Sequence, residues 1–142
     1  MATIFTRIIN GEIPGTFVWR DDRCAAFMSI NPMAYGHTLV VPIEEIDHWF
    51  EAPAELANHL FEVTRDIAQA QRDAFSPERV GVIIAGYEVP HAHIHVIPTN
   101  EMRELSFTNA APSIDVETLE AAAAAIRQAL RSNGHEQEVV ER

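Results

Sequence analysis

Three histidines, His91, His93 and His95, stand at alternate positions, with Ala92, Ile94 and Val96 as the residues between and after them. In an extended strand residues i, i+2 and i+4 share a face, so the imidazoles would line up on one side and the apolar residues on the other. Val89-Pro90 before the row and Pro98-Thr99-Asn100 after it read as the boundaries of that strand. Neighbours on one face of a strand lie ~6.6 Å apart, and the outer pair ~13 Å. Two adjacent imidazoles can converge on one metal ion, but His91 and His95 cannot both reach an ion held by His93. The row therefore suits a central reactive imidazole with a helper on each side. It suits a three-histidine metal cage less well.

The surrounding chain must supply the frame. Residues 16–20 and 24–28 are β-prone runs separated by Asp21-Asp22-Arg23, a hairpin signal. Asn31-Pro32 and Tyr35-Gly36 punctuate the next connection, and residues 37–41 make a third strand ended by Pro42. From Pro53 to Asp73 the apolar spacing becomes helical, with Leu56, Leu60, Val63, Ile67, Ala70 and Ala74 on one stripe. Pro53 suits the first helical position, and Ser76-Pro77 closes the segment. Residues 80–85 form a fourth strand, and Gly86-Tyr87-Glu88 turns the chain into the histidine strand. A second helix over residues 113–132 is capped by Asp115, striped by Leu119, Ala123, Ile126 and Leu130, and stopped by Gly134. Five strands with a long helix before the last two predict an α+β meander in a single domain over residues 1–142. The charged residues 135–142 predict a disordered tail.

The pattern His91-x-His93-x-His95-Val96-Ile97 resembles the signature of the histidine-triad (HIT) superfamily of nucleotide hydrolases and transferases. Two other stretches agree with it, in the family's order. Ile8-Ile9-Asn10-Gly11-Glu12-Ile13-Pro14 is similar to the family's opening, and residues 27–42, with Asn31-Pro32 and Gly36-His37-Thr38-Leu39-Val40-Val41-Pro42, are similar to its next segment. The resemblance covers roughly residues 3 to 100. It implies a five-stranded antiparallel sheet with a long helix packed on it, usually paired across a homodimer, for which Trp49 and Phe50 are candidate contacts. It also implies hydrolysis or transfer at the α-phosphate of a nucleoside-phosphate-X substrate. His93 is then the nucleophile that forms a nucleotidyl-histidine, His95 a donor to the phosphate, and His91 the holder of the network, with no catalytic metal and no cofactor. Such a nucleophile needs its other nitrogen held as a donor, and fixed donors must take up charge on the phosphate oxygens. His37 resembles the family's fourth histidine, which fixes the site from a neighbouring strand. Ser29, Asn31, Tyr87, Glu88 and Val89 fall on the segments implied to border the substrate.

The chain departs from the family pattern in three places. Many relatives carry Cys-x-x-Cys near the start, half of a structural zinc site; here Thr3 and Thr6 stand there, and threonine is not a zinc ligand. His48, similar to a third zinc ligand in those relatives, becomes a surface or interface residue. Before the triad, Ile84-Ala85-Gly86-Tyr87-Glu88-Val89-Pro90 is shorter than usual, with Tyr87 in place of a frequent Gln and Glu88 in place of Ser or Thr. Ser29 replaces an acidic or amide residue near the ribose. Two rivals follow: a nucleotide-binding adaptor without turnover, and a metal-dependent enzyme or carrier using two adjacent histidines with His37. His59, His135 and Cys24 read as structural residues.

Composition narrows the setting. A net charge of -11 argues against capture of DNA or RNA polymers, though not against a small phosphate ligand. One cysteine excludes an internal disulfide framework and suits a reducing, cytoplasmic setting. The N-terminus lacks a secretory pattern, and no apolar run is long enough to span a membrane.

Overall fold

The computed structural model describes residues 1–141. Strands β1 (Phe17–Arg20), β2 (Cys24–Met28), β3 (Thr38–Pro42), β4 (Arg79–Ile83) and β5 (Ile94–Thr99) form one antiparallel sheet in the order β1-β2-β3-β5-β4. The helices are α1 (Ile4–Ile9), α2 (Ala54–Phe75) and α3 (Val116–Ser132). The expected α+β class and antiparallel sheet are present, but the order is not a meander. After α2 the chain builds the far edge, β4, and then returns inward, so β5 lies between β3 and β4.

Period-2 alternation divides the sheet into two unequal faces. On one, Ala26, Met28, Val40, Ile94 and Val96 pack against Leu60, Val63 and Ile67 of α2 and Ala122, Ala123 and Ile126 of α3. Truncating the fully buried Ile67 to alanine would cost ~2–5 kcal/mol. The other face carries Ala25, Phe27, Leu39 and Val41 and is covered by Phe5 and Ile9 of α1. Leu39 is the register partner of His95, which places that imidazole on the second, thinly covered face.

Several expectations need correction. The histidine row is not one strand: β5 begins at Ile94, so only His95 lies in it. Pairing with β3 stops at Val40–Ile94. The His91 N–H bonds locally to the Val89 carbonyl at 2.8 Å, and the Ala92 N–H bonds to the Ile46 carbonyl at 2.7 Å. The backbone therefore leaves the ladder through a bend at His91 to His93. Pro98 lies inside β5, opposite Val80, and does not end it. Residues 4–9 form a helix capped by the Thr3 side chain. Pro53 is the N-cap of α2, one position before that expected. The predicted disordered tail packs: the Arg20 N–H on edge strand β1 donates to the Glu138 carbonyl at 2.9 Å, and Val139 and Val140 join the two apolar clusters. An otherwise open edge donor and two half-buried valines hold it; Arg142 lies outside the described residues. No helix among the described residues is long and apolar enough to cross a membrane.

Candidate active site

The bend and β5 bring His91, His93 and His95 together, and β3 brings His37 beside them. Hydrogen bonds fix the proton on each ring in turn. The Met33 N–H donates to His37 Nδ1 at 3.0 Å, so His37 carries its proton on Nε2 and donates to His95 Nδ1 at 2.9 Å. His95 in turn keeps its proton on Nε2, an atom without a well-aligned partner among the described residues. His93 Nδ1 lies 2.7 Å from the His91 carbonyl, which can only accept, so His93 donates through Nδ1 and bears a lone pair on Nε2. His91 donates through Nε2 to the Pro42 carbonyl at 2.8 Å and accepts at Nδ1 from the Thr3 hydroxyl at 2.7 Å.

Packing holds the rings in these orientations. Phe5 of α1 meets His93 edge-on at 4.8 Å and His91 at 5.8 Å, while Phe107 covers His95 at 5.2 Å. Burial and the neighbouring His95 and His93 push His37 down to about 3; burial and His93, opposed by Glu88, push His95 down to about 4. Burial also lowers His91. The supporting rings thus stay neutral at physiological pH, as the hydrogen-bond chain requires.

One charged side chain faces the forward nitrogens of His93 and His95. Glu88 Oε1 lies 3.6 Å from His93 Nε2 and Oε2 lies 3.3 Å from His95 Nε2. Burial opposes ionisation of Glu88, but a backbone N–H and the adjoining His93 and His95 outweigh it and hold the carboxyl below the usual glutamate value. Beside His93 opens a groove of about 470 Å³, bordered by His48, Trp49, Phe50, Gly86 and Tyr87. That volume suits a small molecule.

A model of the HIT domain matches residues 10–102. The chain belongs to the HIT family. Among its relatives, "Protein hit" of Bacillus subtilis is 39% identical over 67% of this chain and 69% of that protein. An adenylylsulfatase, HINT3 of Arabidopsis thaliana, is 28% identical over 69% of this chain and 52% of its own length. A crystal structure of a hypothetical histidine triad nucleotide-binding protein from Sulfolobus tokodaii superposes with a TM-score of 0.80 at 28% identity, covering 91% of this chain and 92% of that one. HIT proteins form a superfamily of nucleotide-binding proteins and hydrolases.

The other residues expected to border the substrate fare unequally in this HIT chain. Ser29 is buried, its hydroxyl accepting the Asn31 N–H at 3.2 Å. The Asn31 amide is committed to the Ala111 and Pro112 carbonyls at 3.1 and 3.0 Å, so it pins a loop and is not free for a ligand. Tyr87 stands in solvent at the groove's rim, and Val89 is half-buried against the second apolar cluster. His48 is exposed and stacks on Phe50 at 5.3 Å.

The donors do not suit structural zinc at the start of the chain. The Thr3 N–H and the Thr6 hydroxyl donate to Glu45 Oε1 at 2.8 and 2.6 Å, and the Thr3 hydroxyl caps α1 while bonding to His91. Two hydroxyls replace two thiolates, leaving one carboxylate and one imidazole, too few for a tetrahedral site. Glu88, His93 and His95 offer three ligand atoms within 4.8 Å of one another. However, the proton that His37 places on His95 Nε2 removes one of the three, so the set suits proton chemistry better than metal binding.

Two contributors escaped sequence reading. The Thr3 link to His91 spans most of the chain and has no local signal. Gln71 lies fully buried under the sheet, where its Nε2 donates to the Gly36 and Val96 carbonyls at 3.0 Å and ties the backbone beside His37 to that beside His95. Its signal was available: a polar residue one helical turn after Ile67 on a buried stripe.

Proposed function

We infer that this HIT protein is a nucleotide hydrolase or nucleotidyl transferase acting at the α-phosphate of a nucleoside-phosphate-X substrate. The observation that carries this reading is the Nδ1–H bond from His93 to the His91 carbonyl, which leaves the Nε2 lone pair beside the groove. His93 Nε2 attacks phosphorus and forms a nucleotidyl-histidine, which water or another acceptor resolves. The unpartnered His95 Nε2–H donates to a non-bridging oxygen as charge builds there. His37 and His91 hold the two rings without touching substrate. The named adenylylsulfatase supports hydrolase chemistry, and the named nucleotide-binding neighbour supports a nucleotide ligand.

The edge of β4, with Val82 exposed, and the exposed Trp49, Phe50 and Phe61 offer a surface for a homodimer, testable by light scattering. An acidic chain with one buried free thiol fits work on a diffusible nucleotide in the cytoplasm. One observation favours the adaptor reading: an ionised Glu88 beside His93 would repel a phosphate. The deciding experiment is hydrolysis of adenosine and guanosine phosphoramidates, phosphosulfates and dinucleoside polyphosphates, with chelator present, by wild type and His93→Ala. Turnover by wild type alone supports histidine catalysis. Binding without turnover supports the adaptor, and loss of wild-type turnover with chelator supports a metal.

A further inference from the structure

Glu88 is the one ionisable group at the reacting nitrogens that the roles of His93 and His95 leave unused. Its two oxygens face unlike partners. Oε2 looks at the His95 Nε2–H, a donor; Oε1 looks across 3.6 Å at the lone pair of neutral His93. Two acceptors so placed repel one another. A proton carried on Glu88 would remove that repulsion and leave the His93 Nε2 lone pair free. The other acid–base groups bordering the groove are directed elsewhere: Asp47 and His48 lie against each other at 4.0 Å, and the Tyr87 side chain stands in solvent. Glu88 sits two residues after Gly86, whose φ of +88° makes the turn, and its side chain remains 40% exposed, so it reaches both His93 and an incoming substrate.

We propose that Glu88 is a catalytic acid–base residue that takes up a proton as the anionic phosphate docks beside it and delivers that proton to the leaving atom X. The proposal rests on His93 being the nucleophile. In the first step the Nε2 lone pair forms the N–P bond while the P–X bond breaks, its electron pair going to X. The Glu88 carboxyl proton then completes X–H and leaves a carboxylate. In the second step that carboxylate takes a proton from water, whose oxygen bonds to phosphorus as the N–P bond breaks and the pair returns to Nε2. One water is consumed, and the proton on Glu88 and the lone pair on His93 are restored. Such a device helps a leaving atom basic enough to need a proton and gives little to one that departs as a stable anion. The family position held by Ser or Thr thus carries a group that can exchange a full proton.

The test is a series of adenosine 5′-phosphoryl compounds differing only in the leaving group, from an alkylamine to 4-nitrophenolate. It is run with wild type, Glu88→Gln and Glu88→Asp, reading kcat/KM against leaving-group basicity. Glu88→Gln is expected to lose ~10²-fold or more with the alkylamine and to change less than about threefold with nitrophenolate, the signature of a missing general acid. Glu88→Asp should recover part of the amine activity. Equal loss across the series, or a gain throughout, would overturn the proposal, the first pointing to a structural role and the second to simple repulsion of phosphate. Wild type inert to every member would remove the nucleophile reading and this one together, whereas an active wild type with a flat response in Glu88→Gln would remove this one alone. The exposed position of Glu88 allows all three proteins to be matched by thermal melts.

Discussion

Asp21 with His59 and Cys24, and Glu88 with His93 and His95, are two clusters of similar chemistry. Each gathers a carboxylate and imidazole within 4.8 Å of a third ligand atom. In the first, every group is answered. Asp21 accepts from Trp19 Nε1 at 2.9 Å, His59 Nε2 at 2.7 Å and the backbone N–H groups of Arg23 and Cys24 at 2.8 Å each, while Arg23 closes His59 Nδ1 at 3.1 Å. Burial opposes ionisation there, but these bonds prevail and hold Asp21 down to about 2. Burial and the nearby Asp21 raise the Cys24 thiol far out of the reactive range. In the second cluster the imidazoles are fixed from behind while their forward nitrogens stay open. Residue types alone do not separate the two clusters; what differs is a rigid frame that leaves groups unanswered toward a groove.

The contrast can be broken by exchanging the readouts. His93→Ala should lower turnover by at least ~10³-fold, as removal of a nucleophile does elsewhere. Asp21→Ala should do the reverse, costing ~1–3 kcal/mol through the donors it strands, seen as a lower urea midpoint with turnover nearly intact. If both variants lost turnover alike, the two clusters would not differ as described.

Acid titration of stability sharpens the contrast further. His37 and His95 fall from 6.5 to about 3 and about 4 on folding, so the unfolded chain binds protons that the folded one refuses. Their contribution is intact above 6.5 and is lost as pH falls toward those values. Asp21 falls from 3.8 to about 2, so its contribution is intact above 3.8 and is lost between there and about 2. Urea midpoints against pH should show both windows in wild type and the upper one alone in Asp21→Ala. The smallest effect belongs to His59→Ala, which should leave turnover within a few-fold and cost ~1 kcal/mol of stability.

The sequence disclosed the histidine cluster better than its support. Alternating histidines and the helical stripe of α2 are strong local periods, and they located the triad, the long helix and the sheet. The bend at His91 to His93 was hidden because alternation also describes a strand, and what broke the strand was a distant carbonyl on Ile46. Asn31 looked free because its partners, the carbonyls of Ala111 and Pro112, lie on a loop far along the chain. The ordered tail was hidden because a charged composition concealed Val139 and Val140, whose burial depends on where β1 lies. In each case the deciding contact is long-range, and no window of sequence contains it.

The position of β5 between β3 and β4 has a consequence for synthesis from the N-terminus. The strands that flank the sheet's interior gap are made first, and the strand that fills it is the last of the five to be made. Until Ile94–Thr99 is available, β3 presents an unpaired edge, the kind of surface that recruits strands from other chains. The same insertion that closes this edge delivers His95 to His37. A chain interrupted before that point exposes the edge of β3 and lacks the His37–His95 contact, so one insertion both closes the sheet and assembles the triad.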